Sequence, residues 1–410
     1  MNKIYFLIAI LVFPTLVNAQ HHSFEINSDL GLFNSALNAQ TILNSLGYID
    51  DEQKLEILNS MDDKNSAYIE LNNELKFNHN IGLSLAFGNH TTIFAEYDKN
   101  LVKLGLYGNS STLGESFDLL PLKGLAFHYS DITLEYQFSD NLTSRISFIA
   151  GHQFVSGEFT KLNYESGPSG TYLSYDLALE GIESGDWRSY IDSRSNLSDF
   201  NTLEQFFNAN GRGFSVGFDY KGILNDGSYI FSVDDLGFIY WDDDTRKYDI
   251  VTDDMLVPLQ VNDFSEIEAD YFLNEIDTLR DIINPYNQSY RFSLPTRLSG
   301  SYNNQILNQF INSYTVSFDH RIGLYETARI AFDFHKEINK HEIVLGYHFG
   351  GLEKNGLQLA YHYNAKGLQF NLFSSQLNFI DNSNLYGFHL GFGLKFTFGS
   401  NYDIDNPEVD

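Results

Sequence analysis

Gly387-Phe388-His389-Leu390-Gly391-Phe392-Gly393-Leu394-Lys395-Phe396-Thr397-Phe398 alternates without a break. Every even position is Phe or Leu, and every odd one is Gly, His, Lys or Thr. Successive side chains of a strand point to opposite faces, so this is a strand with one greasy face and one polar face. The greasy face runs a little longer than the roughly 9–11 residues a tilted strand needs to cross a bilayer. Soluble sandwiches also alternate, but their inner face is a packed core of aliphatics. Gly, His, Lys and Thr are too small or too polar to build one. The phenylalanines therefore look outward to lipid, and the polar face lines a lumen.

Working back from that strand, the pattern repeats. Leu357, Leu359, Tyr361 and Tyr363 alternate with Gln358, Ala360, His362 and Asn364. Ile343, Leu345, Tyr347 and Phe349 form another apolar set, as do Ile330, Phe332 and Phe334, then Tyr314, Val316 and Phe318. Phe214, Val216, Phe218 and Tyr220 make a further one. Towards the N-terminus come Ile81 to Phe87, Ile132 to Phe138 and Leu142 to Phe148. Weaker candidates lie at 67–77, 91–98, 123–130, 153–163, 227–234 and 290–303. Ser139-Asp140-Asn141, Lys354-Asn355-Gly356 and Ala365-Lys366-Gly367 read as tight hairpin connections. Short connections make neighbours antiparallel. The expected fold is all-β: an antiparallel transmembrane β-barrel of about 14 strands with long loops. The last strand should close it against the first.

Residues 1–19 carry the three parts of a secretory signal: Lys3, an apolar stretch from Ile4 to Val17, and Val17-Asn18-Ala19 before the cut. Cysteine is absent, which excludes a lipoprotein anchor and a disulfide framework. No later segment is an apolar run long enough for a membrane helix. The mean hydropathy of -0.25 suits a barrel as well as a soluble protein, because the lumen face dilutes the lipid face. Aromatic residues make up 15% of the chain, and prolines number only 7, which suits strands and interfacial girdles. A net charge of -29 excludes nucleic acid as a partner. Its plain reading is acidic, solvated loops.

The segment 20–66 is expected to be an N-terminal plug or cap. Leu55, Leu58 and Met61 at helical spacing mark a short amphipathic helix within it. The barrel then occupies 67–399, and 400–410 is an acidic tail. Residues 165–210 and the acidic 242–289 read as long loops, with a helix at Ile267 to Ile283.

The string Asp235-Leu236-Gly237-Phe238-Ile239-Tyr240-Trp241, the string Ser293-Leu294-Pro295-Thr296-Arg297-Leu298 and the Gly-rich last strand, together with the signal, resemble the Bacteroidetes-type outer-membrane barrels classed as domain of unknown function 5723. The likeness runs over residues 28–399. Members often carry an Asn-Pro-Ala-like element near the mature N-terminus; here Phe33 to Ala39 lacks the proline. The resemblance implies an outer-membrane barrel and carries no established activity. Asp235, Gly237, Trp241 and Pro295 are its motif residues. More distantly, such barrels are similar to long-chain fatty-acid transporters and to outer-membrane subunits of type IX secretion.

The chemistry-bearing residues on the polar parity of the last strands are Asp333, His335, His348, His362, His389 and Lys395. Histidine binds metals and titrates near neutral pH. No pair has the spacing of a recognised ligand set, so a water-satisfied lumen lining is the expected reading, with no metal and no cofactor. Asp242-Asp243-Asp244 lacks the loop pattern of a calcium site. No G-x-S-x-G element is present, and an enzyme is not expected. Asp235 and Trp241 serve folding, and Trp241 suits an interfacial belt. The function expected is a channel or transporter for small or hydrophobic solutes. The other reading is a scaffold barrel that acts with envelope or secretion proteins. Outer-membrane lipid is the partner in either case.

Overall fold

The structure, a computed structural model, describes residues 22–36, 49–79, 82–108, 113–167, 173–185, 209–252, 255–256, 285–306, 309–324, 327–351, 355–375 and 387–398. The signal segment 1–19, the tail 400–410 and the helix expected at Ile267 to Ile283 lie outside them.

Among the described residues, 14 antiparallel strands close into a barrel. They are β1 (His22–Asn34), β2 (Lys64–Asn78), β3 (Leu83–Asp98), β4 (Leu122–Gln137), β5 (Leu142–Ser166), β6 (Gly211–Leu224) and β7 (Gly227–Trp241). The second half is β8 (Arg297–Gln305), β9 (Ser313–Arg321), β10 (Arg329–Ile338), β11 (His341–Phe349), β12 (Asn355–Ala365), β13 (Leu368–Ser375) and β14 (Gly387–Phe398). Each strand pairs with the next in this order, and β14 pairs with β1 from Phe398 opposite His22 to Gly387 opposite Phe33.

Two differences from the sequence reading concern the wall. The stretch given to a plug, 20–66, contains β1: His22–Asn34 is barrel wall between β2 and β14. Its alternation is masked by Ser28 at a lipid-facing position, which breaks the apolar run. The candidates 81–87 and 91–98 are one strand, as are 123–130 with 132–138, and 142–148 with 153–163. Polar residues mid-strand hide each join.

Short turns gather at one end, at 138–141, 225–226 and 366–367, and long connections gather at the other. Asn225 and Asp226 both take positive φ, the backbone of a two-residue hairpin turn. The expected amphipathic helix is α1 (Asp51–Ser60), between β1 and β2. Its N-terminus is closed by a capping box in which Asp50 Oδ1 accepts from the Gln53 N–H at 2.8 Å and Gln53 Oε1 from the Asp50 N–H at 3.0 Å. A second helix, α2 (Lys99–Tyr107), starts at Asp98. The two meet through Ala36, Ile57, Leu58 and Met61 against Tyr97, Val102 and Leu106. Both belong to connections at the long-loop end, so α1 is a cap at the mouth.

Above the wall β5 overshoots its neighbour β6. Its upper half, Phe154 to Ser166, pairs with Leu173–Ser184, which in turn pairs with Arg246–Thr252. Segments read as loops are thus partly sheet. An unpaired strand edge recruits them, because its N–H and C=O groups need partners.

The faces follow the parity of the last strand. Leu390 and Phe392 stand 46% and 40% exposed, whereas Gly391 and Gly393, which alternate with them, are buried. Ile343, Leu345, Phe332 and Phe334 are likewise outward and exposed.

Candidate functional site

A polar inward face cannot pack like an apolar core, so each charge there needs an opposite charge or a hydrogen bond. The lumen meets that requirement with two networks. In the first, Lys76 of β2 holds Glu135 of β4 at 3.0 Å. Arg145 of β5 forks onto both carboxylate oxygens of Asp219 at 2.7 and 2.8 Å and reaches Asp234 at 2.6 Å. Asp219 also accepts from Ser232 Oγ at 2.6 Å. Planar guanidinium suits this two-pronged grip.

The second network centres on Asn72. Its side-chain N–H groups donate to Glu70 at 2.8 Å and Asp29 at 3.1 Å, and its carbonyl faces His90 Nδ1 at 2.9 Å. The other ring nitrogen of His90 meets Asp131 at 2.9 Å, and the ring stacks on Tyr129 with centroids 4.7 Å apart. Arg321 reaches Glu70 at 2.5 Å. β2 and β9, which carry this pair, are seven strands apart in a ring of 14, so the ion pair ties opposite walls together.

Just beyond Arg321 the chain turns inward at Gly323, whose φ of +89° only glycine adopts freely. Leu324 is thereby seated on Phe33, Tyr68 and Phe94 from β1, β2 and β3. Leu324 and Gly323 also floor a vestibule of about 330 Å³ lined by Glu96, Lys123 and Glu158. Below lies a chamber of about 300 Å³ with apolar and ionic linings that interleave. Phe127, Tyr129, Ile149 and Leu294 form the first; Asp131, Arg145, Asp234, Asp235, Arg297 and Arg321 form the second, with Asp131 on the strand of Tyr129 and Arg145 on the strand of Ile149. A side cavity of about 190 Å³ shares Asp29, Asn72, Arg297 and Arg321 with it.

The apolar lining is the face of a buried cluster formed by Phe127, Tyr129, Ile149, Phe154, Ile239, Trp241, Phe292 and Leu294. Trp241 is 0% exposed at its centre, 5.6 Å from the ring of Phe154. This corrects its assignment to an interfacial belt. An indole at inward parity, with Gly151 and Gly211 beneath it leaving room for the ring, is a packing residue. The other motif residues lie around the same chamber. Asp235 has φ +58° where the β6–β7 register slips, which swings it into the chamber. Gly237 has no room for a side chain beside Ser215, and its carbonyl accepts from the Leu294 N–H at 3.0 Å. Pro295 lies in the break between Tyr290–Ser293 and β8 and lines the chamber.

The histidines chosen by parity are dispersed. His389 alone joins the centre, 3.4 Å from Asp29. His335 sits between Glu342 at 2.7 Å and Thr315 at 2.9 Å, near the short-turn end. His362 meets Asn371 at 2.8 Å, and Lys395 pairs with Glu25 at 2.7 Å. Asp333 accepts from Gln358, and His348 is fully buried in the wall. Among the described residues, no three His, Asp or Glu converge in a way that could hold a metal ion. The residues that do converge, Glu70, His90, Asp131, Arg145 and Arg321, are not among those singled out from sequence. The available signal was charge at lumen parity inside an apolar-alternating strand, as in Glu70-x-Asn72-x-Glu74-x-Lys76.

The profile of a family described as a family of unknown function, DUF5723, matches residues 14–401. No curated protein matches the chain. Among solved structures, the toluene transporter TbuX of Ralstonia pickettii is similar at a TM-score of 0.38 and 9% identity, with 93% of this chain and 90% of that one covered. A FadL homologue of Pseudomonas aeruginosa gives 0.40 and 11%, covering 93% and 91%. A Rhodopseudomonas blastica porin mutant gives 0.25 and 6%, covering 92% and 99%.

Proposed function

The chain belongs to the DUF5723 family, and from that premise we propose that it sits in an outer membrane, exported with loss of residues 1–19, as a channel for small solutes with an apolar side. The lumen of such a channel is closed at rest. One observation carries the reading: Arg321–Glu70 spans the barrel beneath Leu324, between an outer vestibule and the inner chamber. A chamber of about 300 Å³ is at the lower end of the size range of small-molecule sites, and its lining is more polar than most of them. Its aromatic side chains would take the apolar side of a solute, and its charged ones the hydrogen-bonding side.

The test is conductance across planar bilayers and solute-driven swelling of vesicles. Wild type should pass little. Arg321→Ala combined with Leu324→Ser should raise conductance severalfold, because it removes both the tie and the seat. Folding is checked by the heat-dependent gel mobility of a closed barrel. If the folded double variant passes no more than wild type, the lumen is not a route. The barrel would then act as a scaffold for envelope or secretion proteins.

A further inference from the structure

The outward face carries a defect in its apolar belt. Ser28 of β1, Asn73 of β2, Asn89 of β3 and Ser130 of β4 are successive partners across the sheet, all at lipid-facing parity. On one side of this row stand Ile26, Leu75, Phe87 and Ile132; on the other come Leu30 and Leu71 with the buried Thr91 and His128, and beyond them Leu32, Ile69 and Ile93. Leu75, Ile69 and Ile93 are exposed. The row is hydrogen-bonded along itself: Ser28 Oγ donates to Asn73 Oδ1 at 2.8 Å, and Asn89 Nδ2 donates to Ser130 Oγ at 3.1 Å. Asn73 is exposed, and its amide N–H groups have no protein acceptor among the described residues.

Depth decides what can meet it. Asn73 is five residues from the turn end of β2, roughly 16 Å along the strand and about 12 Å in height at a tilt of about 40°. That is the middle of an apolar band about 25 Å tall. Lipid headgroups stop short of this level, and acyl tails offer no acceptor. Polar side chains at such depth find partners on another protein.

We propose that this face is the contact between two copies of the chain, related by a two-fold axis along the membrane normal through Asn73. Both copies lie in one membrane with one orientation, so the axis brings Asn73 to Asn73 at equal depth with no adjustment. A carboxamide is both donor and acceptor, and is thus its own complement. The row is uncharged, so nothing repels the second copy. Exposed Leu75, Ile69 and Ile93 then pack around the central polar contact.

The wild-type chain has no cysteine, so one introduced thiol is unambiguous. Asn73→Cys in the full chain, oxidised in membranes, should give a covalent dimer. Phe332→Cys, outward on β10 across the barrel, should not. The mass of wild type in lipid discs should be that of a dimer, and Asn73→Leu should weaken association roughly three- to twentyfold for each membrane hydrogen bond lost. Heat-dependent mobility confirms that each variant is a closed barrel. Monomeric wild type at every protein-to-lipid ratio would overturn the proposal. So would capture of some other protein by the thiol of the Asn73→Cys variant, or cross-linking of that variant no stronger than that of Phe332→Cys.

Discussion

At the scale of single residues, side chains adjacent in sequence answer to different solvents. Phe392 faces hydrocarbon, whereas Gly393 lies beside Asn27 and Asn371 in the lumen. Phe392→Arg should cost about 2–4 kcal/mol, the penalty for a cation near the midplane of a barrel wall. Gly393→Ser should fold almost as wild type, since the added Cβ meets Asn27 Oδ1 at 3.0 Å and Asn371 Nδ2 at 3.4 Å, both ends of movable side chains. Urea titration of each variant folded into vesicles measures the difference. Equal tolerance would mean the faces are wrongly assigned. Trp241 obeys different rules from either. A Cβ on Gly211 would come within 2.8 Å of its ring, so Gly211→Ala should destabilise by about 1–3 kcal/mol through overpacking. Trp241→Ala should cost about 3–5 kcal/mol by leaving a cavity. The same titration orders the two.

At the scale of elements, legibility tracks exposure to lipid. β14, β12, β11, β10 and β9 are readable because lipid forces apolar side chains onto every second position. β1 and β13 escape that reading. β1 is interrupted by Ser28, and the eight residues of β13 carry Leu368, Phe370 and Leu372 outward but Phe373 and Ser374 out of phase. β3, β4 and β5 each read as two pieces, because Asn89, Ser130 and the slip near His152 interrupt the outward face. The strand number nevertheless agrees, because the splits and the omissions offset each other. The candidate site is less legible still. Parity identifies which residues enter the lumen, but only register and curvature decide which of them touch. Glu70 and Arg321 are 251 positions apart in sequence, and no local pattern links them. Arg145 shows what such a contact is worth. Arg145→Met would leave Glu135, Asp219 and Asp234 without their shared cation, at a cost of about 3–5 kcal/mol. Adding Asp219→Asn should recover part of that loss, which a double-mutant cycle reads directly.

At the scale of the molecule, the segment before residue 67 divides into two parts with opposite roles. β1 makes ladders with both β2 and β14, whereas α1 rests on α2 at the mouth. Deleting residues 22–34 should abolish the heat-dependent mobility of the closed barrel. Replacing residues 51–60 with a Gly/Ser linker should preserve it, and gel mobility with urea titration tells the two apart. The pairing of β1 with β14 also governs when the protein can come into being. The two strands that complete the ring are the first and last of the wall to be made, so a sheet lacking either one would keep two raw edges. Such sheets associate with one another. If the chain is exported as proposed, escort between export and insertion follows as an expectation of this topology.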